Sequence, residues 1–319
     1  MNEFALIKEI SGLRSAAVKK KKFGLFGIGD DCAVIPVDKK KSYLVSVDNL
    51  FENVHFNLKH CSLFELGAKS VKVNVSDIIS TGGVPKYILI SINIPEKIKI
   101  KDFFKGCDSV CSKYNIKIIG GDTSASSSGL CVSVTIIGLA DNKNILRRDG
   151  ANPEEMICMT GYSGLSAAGF YFLNKQKQKN ISNMASRFHN NPEIPDLHDA
   201  AIIRNNAVAA MDNSDGLYFT LYTMLKNSGV GGNIFFDKIP LHPYAAGFCS
   251  ENNFNSEDFI NFGEDYNCVF TMNPKKQRCL TKMRCKVSII GMTNSTNKII
   301  LNNNGINKIL QPAGFNHDV

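Results

Sequence analysis

The sequence predicts two mixed α/β (α+β) domains in succession. Three observations predict them. The chain has 319 residues, a length that suits two domains of about 150 residues each. Strand-like and helix-like patterns alternate along it. A polar stretch from Asp141 to Pro153, containing Gly150, interrupts the alternation near the middle. The expected division is therefore residues 1–145 and 146–319.

The elements follow in order. Tyr43 to Val47 is a β-rich run that reaches Asp48. Ser62 and Glu65 form an S-x-x-E capping box, which opens a helix running to about Ser80. Ile88, Ile90, Ile92 and Ile94 alternate strictly, so Lys86 to Ile94 is a strand with one buried face, ended by Pro95. Phe103 to Tyr114 reads as a helix, Lys117 to Ile119 as a short strand entering Gly120-Gly121-Asp122, and Leu130 to Leu139 as a further strand. Beyond the break, Met156 to Thr160 reads as a strand and Leu165 to Asn174 as a helix. Phe188 to Leu197 is Pro-rich and irregular. Leu217 to Lys226 is helical, Asn233 to Phe236 extended, and Tyr266 to Thr271 a strand.

Composition narrows the class. Apolar residues make up 44% and charged residues 21%, the balance of an ordinary globular protein. No apolar run reaches the roughly 18 residues of a membrane span. The opening Met1-Asn2-Glu3-Phe4 lacks the basic and apolar regions of a signal peptide. A cytoplasmic protein with no membrane partner is expected. The ten cysteines form no C-x-x-C pair, and no histidine completes a zinc pattern. They read as buried thiols, including Cys107 and Cys111 four apart on a helix. The net charge is +8. Its lysine runs, Lys19 to Lys22 and Lys39 to Lys41, sit near turns without a basic helix or interleaved aromatics, so no nucleic-acid partner is expected. A basic surface would help to attract phosphorylated substrates.

The aspartates carry the chemistry. Gly27-Ile28-Gly29-Asp30-Asp31 precedes the apolar run Ala33-Val34-Ile35. Asp48 closes a strand. Asp77 shares a helix face with Asn74 and Ser70. Asp122 follows Gly-Gly at a strand end. Asp212 and Asp215 flank Asn213-Ser214 before Gly216 and a helix. Each alone reads as a cap or a turn residue, and capping is the natural reading for Asp215. If they converged, their repulsion would demand cations, and an all-oxygen set favours Mg²⁺. The P-loop, the dinucleotide-binding glycine motif and the protein-kinase H-R-D and D-F-G motifs are all absent. ATP use would therefore need another fold.

The spaced motifs resemble the thiamine-monophosphate kinase family. They are Gly27-Ile28-Gly29-Asp30-Asp31-Cys32-Ala33-Val34, Val47-Asp48-Asn49-Leu50 with Val54-His55-Phe56, and Val73-Asn74-Val75-Ser76-Asp77. Thr81-Gly82-Gly83-Val84-Pro85, Gly120-Gly121-Asp122-Thr123 and Arg148-Asp149-Gly150-Ala151 continue the series. Met211-Asp212-Asn213-Ser214-Asp215-Gly216-Leu217 and Gly263-Glu264-Asp265-Tyr266 complete it, so nearly the whole chain is covered.

The resemblance implies a two-domain fold shared with aminoimidazole ribonucleotide synthetase and selenophosphate synthetase. The N-terminal domains would pair in a homodimer, with nucleotide sites near the interface. The implied reaction moves the γ-phosphoryl of ATP onto thiamine monophosphate. Asp31, Ser46, Asp48, Asp77, Asp122, Asp212 and Asp215 match metal-binding positions for several Mg²⁺, and Asp31, Asp48, Asp122 and Asp212 the catalytic ones. Gly121, Asp122, Arg148 and Ser214 match nucleotide-binding positions. His55 and Glu264 match contacts to thiamine. Three departures stand out. Val47 replaces a frequent Thr, Pro312-Ala313 precede Gly314-Phe315 where an aromatic is common, and Asn190 to Pro195 lacks an expected arginine. Two alternatives stay open: another ATP-using enzyme of the superfamily, such as a selenophosphate synthetase or a ribonucleotide cyclo-ligase, and a non-catalytic nucleotide binder.

Overall fold

The computed structural model describes residues 3–13, 26–96, 98–175 and 188–315. Lys19 to Lys22 lie outside them. A short helix α1 (Glu3–Ser11) comes first. The N-terminal half then builds a five-stranded sheet from β1 (Ala33–Pro36), β2 (Lys41–Phe51), β3 (Val84–Pro95), β4 (Lys117–Ser126) and β5 (Cys131–Asp141). Their order is β1-β2-β5-β3-β4. All pairs are antiparallel except β3 with β4. Lys39 to Lys41 lie at the β1–β2 turn, where Asp38 Oδ1 accepts from the amides of Lys40 and Lys41.

Helix α2 (Leu63–Ser80) starts at the predicted capping box: Glu65 N donates to Ser62 Oγ, and Ser62 N donates to Glu65. It packs against α3 (Lys101–Tyr114). Two glycines set their separation. A Cβ on Gly67 would fall on the Phe103 carbonyl, and one on Gly106 on the Phe64 carbonyl. The helices therefore touch backbone to backbone. Alternating residues Leu44, Ile88, Ile90, Val132, Val134 and Ile136 form the core beneath them. The described residues leave the opposite face of the sheet open. On that face Tyr43 pairs with Leu139, and Ile137 with Val45 and Tyr87. Tyr43 and Tyr87 are exposed.

The C-terminal half forms a seven-stranded sheet of β6 (Met156–Thr160), β7 (Ala207–Asp212), β8 (Gly231–Phe235), β9 (Cys268–Met272), β10 (Val287–Asn294), β11 (Ile299–Asn303) and β12 (Ile306–Ile309). Their order is β12-β11-β8-β10-β6-β9-β7. Strands β6 and β9 are buried on both faces. Ile157, Met159 and Val269 belong to one core, and Met156, Cys158, Phe270 and Met272 to another. Helix α4 (Leu165–Lys175) follows β6. Helix α2 also contacts β7 and β9. It is thus a shared layer between the two sheets, which explains why most of it is buried. No helix among the described residues is long and apolar enough to cross a membrane.

Several sequence expectations need correction. Asp48 lies inside β2, which runs on to Phe51. Gly120-Gly121-Asp122 lie within β4, not at its end. A bulge at Ile119 shifts the register there, and a Cβ on Gly121 would overlap the Ile90 carbonyl. Asp215 does not cap the helix Leu217–Asn227. Gly216 occupies that position, and Asn261 Oδ1 accepts from Tyr218 N at 2.9 Å instead. The pattern reading also assigns no helix at Leu197–Asn206 or Pro243–Asn252, and no strand at β7 or β10 to β12.

Candidate functional site

Four carboxylates lie near enough to feel one another's charge where α2 lies between the sheets. Asp31 precedes β1, Asp48 comes from β2, Asp77 from α2 and Asp212 from the end of β7. A fifth, Asp215, lies on the loop that follows β7. Ser46 Oγ donates to Asp77 Oδ2 at 2.6 Å, and Ser80 Oγ donates to Asp31 Oδ2 at 2.7 Å.

Electrostatics follow from the crowding. Burial, then the charges of Asp48, Asp212 and Asp31, push the Asp77 carboxyl well above the usual range. Burial, then Asp31, Asp48 and Asp215, do the same to Asp212. Burial, then Asp215 and Asp31, raise Asp48 to about 6. Carboxylates held this close favour protonation unless a cation joins them. The donor set is entirely oxygen, from carboxylates and the Ser46 hydroxyl, so it fits a hard divalent cation such as Mg²⁺. A protein cation stands at the rim. Arg148 Nη2 donates to Asp31 Oδ1, and Arg148 Nε lies 3.5 Å from Asp30 Oδ1. Asp30 also accepts from the amides of Asp31 and Arg148. Burial, then the Asp31 charge, raise Asp30 to about 6, opposed by Arg148.

A cavity of about 730 Å³ opens beside the carboxylates. Its lining includes Asp48, Ser214 and Asp215 together with Phe51, His55, Phe170, His189, Phe262, Glu264 and Phe315. The size suits a small organic ligand. His55 is oriented by the Phe51 amide, which donates to its Nδ1 at 3.0 Å. Phe315 is held by its own amide, which donates to Asp215 O at 2.9 Å. It thus gives the cavity an aromatic surface although Pro312-Ala313 offer none. Val47 also lines the cavity and is 55% exposed, so it offers contact area but no side-chain oxygen. Around the stretch that lacks an arginine, Lys72 from α2 brings a cation instead: its Nζ donates to Pro192 O at 2.9 Å.

Glu264 is set by an unusual backbone. Its φ is 57° and that of Tyr266 is 53°, left-handed values that cost non-glycine residues energy. Glu264 N donates to Ser214 O at 2.6 Å, and Tyr266 N to Asn213 O at 3.0 Å. These bonds join the two loops that flank the cavity. Beside Glu264 lie two residues that the sequence reading passes over. Lys69 Nζ donates to Glu264 Oε2 at 3.1 Å. His189 Nδ1 lies 3.4 Å from the same oxygen. Burial, then Lys69, lower His189 to about 4, so its ring is neutral at pH 7.

Gly121 and Asp122 are placed differently. Both are exposed on the edge strand β4, with Asp122 opposite Ser91 of β3. Asp122 Oδ2 accepts from Ser124 Oγ at 3.3 Å. Asp122 is not among the main charges acting on Asp48, Asp77 or Asp212.

The fold and site define a class first. Residues 29–140 match the family "AIR synthase related protein, N-terminal domain". The particular family follows from full-length relatives. The thiamine-monophosphate kinase of Buchnera aphidicola subsp. Schizaphis graminum is 36% identical, over 99% of this chain and 98% of its own length. That of Bacillus subtilis is 30% identical, over 91% and 93%. The structure of AaThiL complexed with AMPPCP and TMP superposes with a TM-score of 0.85 at 28% identity, covering 99% of this chain and 97% of that one. The chain belongs to the thiamine-monophosphate kinase family.

Proposed function

We propose that the chain transfers the γ-phosphoryl group of ATP directly to thiamine monophosphate, giving thiamine diphosphate. The observation that carries this reading is the mixed lining of one cavity, which combines the carboxylates of Asp48 and Asp215 with His55, Glu264 and Phe315. A phosphorylated heteroaromatic substrate needs both kinds of surface. The AMPPCP and TMP bound by AaThiL support the same pair of substrates.

Asp31, Ser46, Asp48, Asp77, Asp212 and Asp215 would hold Mg²⁺, while Asp122, exposed on β4 and apart from this cluster, would join only a separate ion. Bound Mg²⁺ supplies the charge neutralisation that lets two polyanions approach. The rest belongs to the chain. Arg148, with its planar fork, and Ser214 hold the ATP phosphates, and Gly121 would reach the nucleotide only from its separate position on exposed β4. His55 and Glu264 hold the thiamine moiety, and Phe315 offers it an aromatic surface. The acceptor phosphate has a second pKa of about 6 and is already nucleophilic at neutral pH, so no general base is needed. The transfer is in line, without a phospho-enzyme.

Residues 1–145 form the ATP, metal and dimerisation domain, and residues 146–319 complete the site. The open apolar face around Tyr43 and Tyr87, together with exposed β4, supports a homodimer through the N-terminal sheet. Ten free thiols support a reducing, cytoplasmic setting. The direct test is purified protein with ATP, Mg²⁺ and thiamine monophosphate, reading thiamine diphosphate. Formation that EDTA abolishes is expected. No product across a magnesium series would reject the reading.

A further inference from the structure

Lys69 lies in the middle of α2 with its side chain fully buried. A buried ammonium is costly unless it is paired. Its partners come from both walls of the cavity. Nζ donates to His55 O at 3.0 Å and to Glu264 Oε2 at 3.1 Å. Glu264 is 195 positions away in sequence, so the ammonium ties the loop after β2 to the loop before β9. His189 Nδ1 stands 3.4 Å from the same Oε2 and lies 3.0 Å from Ser166 Oγ. Among the described residues, Lys69 and His189 both approach the Glu264 carboxylate at Oε2, and Glu264 lines the cavity.

We propose that Lys69 is a positioning residue. It fixes the Glu264 carboxylate against the His55 backbone and turns the other oxygen, Oε1, to accept from an N–H donor on the substrate's aromatic ring. This rests on the proposed reaction. A purely structural ion pair between the two halves of the chain would use the same contacts, so the test must separate substrate binding from stability.

The test uses full-length Lys69→Met, Glu264→Gln and the double variant, with KM measured for thiamine monophosphate and for ATP. Lys69→Met is expected to raise the KM for thiamine monophosphate by about tenfold or more, the scale of a hydrogen bond to a charged group. The KM for ATP should stay within about twofold. The double variant should match Glu264→Gln, because Lys69 acts through Glu264. Equal rises in both KM values, or additive effects in the double variant, would overturn the proposal. If Lys69→Met does not fold, the double variant leaves neither charge unpaired and carries the comparison with Glu264→Gln. A wild-type protein that forms no thiamine diphosphate would instead reject the reaction itself.

Discussion

Arg148 donates to Asp31 across the seam between the two halves of the chain. The second oxygen of Asp31 takes Ser80 Oγ at 2.7 Å, so the carboxylate is held from both sides. The guanidinium is thereby fixed at the edge of the acidic cluster, close to Asp30 as well. Lysine has no planar fork and cannot reproduce both contacts. Arg148→Lys should raise the KM for ATP by about tenfold, on the scale of a charge-assisted hydrogen bond, with a smaller effect on thiamine monophosphate. Steady-state kinetics with each substrate varied would decide it. Equal rises would mean that Arg148 supports the cleft as a whole.

Asp212 stores repulsion. It is 3% exposed and feels Asp31, Asp48 and Asp215. Asp212→Asn keeps the shape and removes a carboxyl that, without a cation, must either repel its neighbours or take up a proton. In EDTA the variant should melt about 1–2 °C higher than the wild type, as about 1 kcal/mol of relief implies for a chain of this length. Its activity with Mg²⁺ should fall by about a hundredfold, the scale of losing one electrostatic contact in the transition state. Paired melting curves and product assays test this. A variant that is both less stable and active would contradict the assigned role.

The limits of the sequence reading have physical causes. Asp31, Asp48, Asp77 and Asp212 are legible because carboxylates beside glycines, or next to apolar runs, are conspicuous. Lys69 is not, because a lysine on a helix reads as solvated until Glu264 is brought to it from 195 positions away. His189 has no local pattern at all. The β11–β12 hairpin is a different case. Asn304 and Gly305 have φ of 50° and 83°, and Asn-Gly between strands is a strong hairpin signal. A reading built on apolar alternation does not use it, because Asn302 and Asn303 before the turn and Asn307 and Lys308 after it dilute the pattern.

Strand β4 gives a prediction about assembly. Ile119, the bulged residue, is 54% exposed on this edge strand. Exposed apolar edges are normally covered or charged. If β4 and the neighbouring open face pair with a second copy, Ile119→Lys should shift the protein to monomer in sedimentation velocity. Activity should fall with it, because Gly121 and Asp122 lie on the same strand. A variant that stays dimeric and active would place the interface elsewhere.

His189 makes stability depend on pH. Burial, then the Lys69 charge, lower its folded pKa to about 4, with Glu264 opposing. The unfolded value is about 6.5. Between these values the unfolded chain binds a proton that the folded one refuses. Stability is therefore lost as pH falls from about 6.5 toward about 4, by roughly 2 kcal/mol at pH 5. His189→Gln cannot take up that proton. Urea unfolding at pH 7, 6 and 5 should show the wild type losing stability relative to the variant by about this amount. Parallel profiles would mean that the folded ring titrates as it does in the unfolded chain, and a wild type that gains on the variant as pH falls would mean that the ring pairs with Glu264 as a cation.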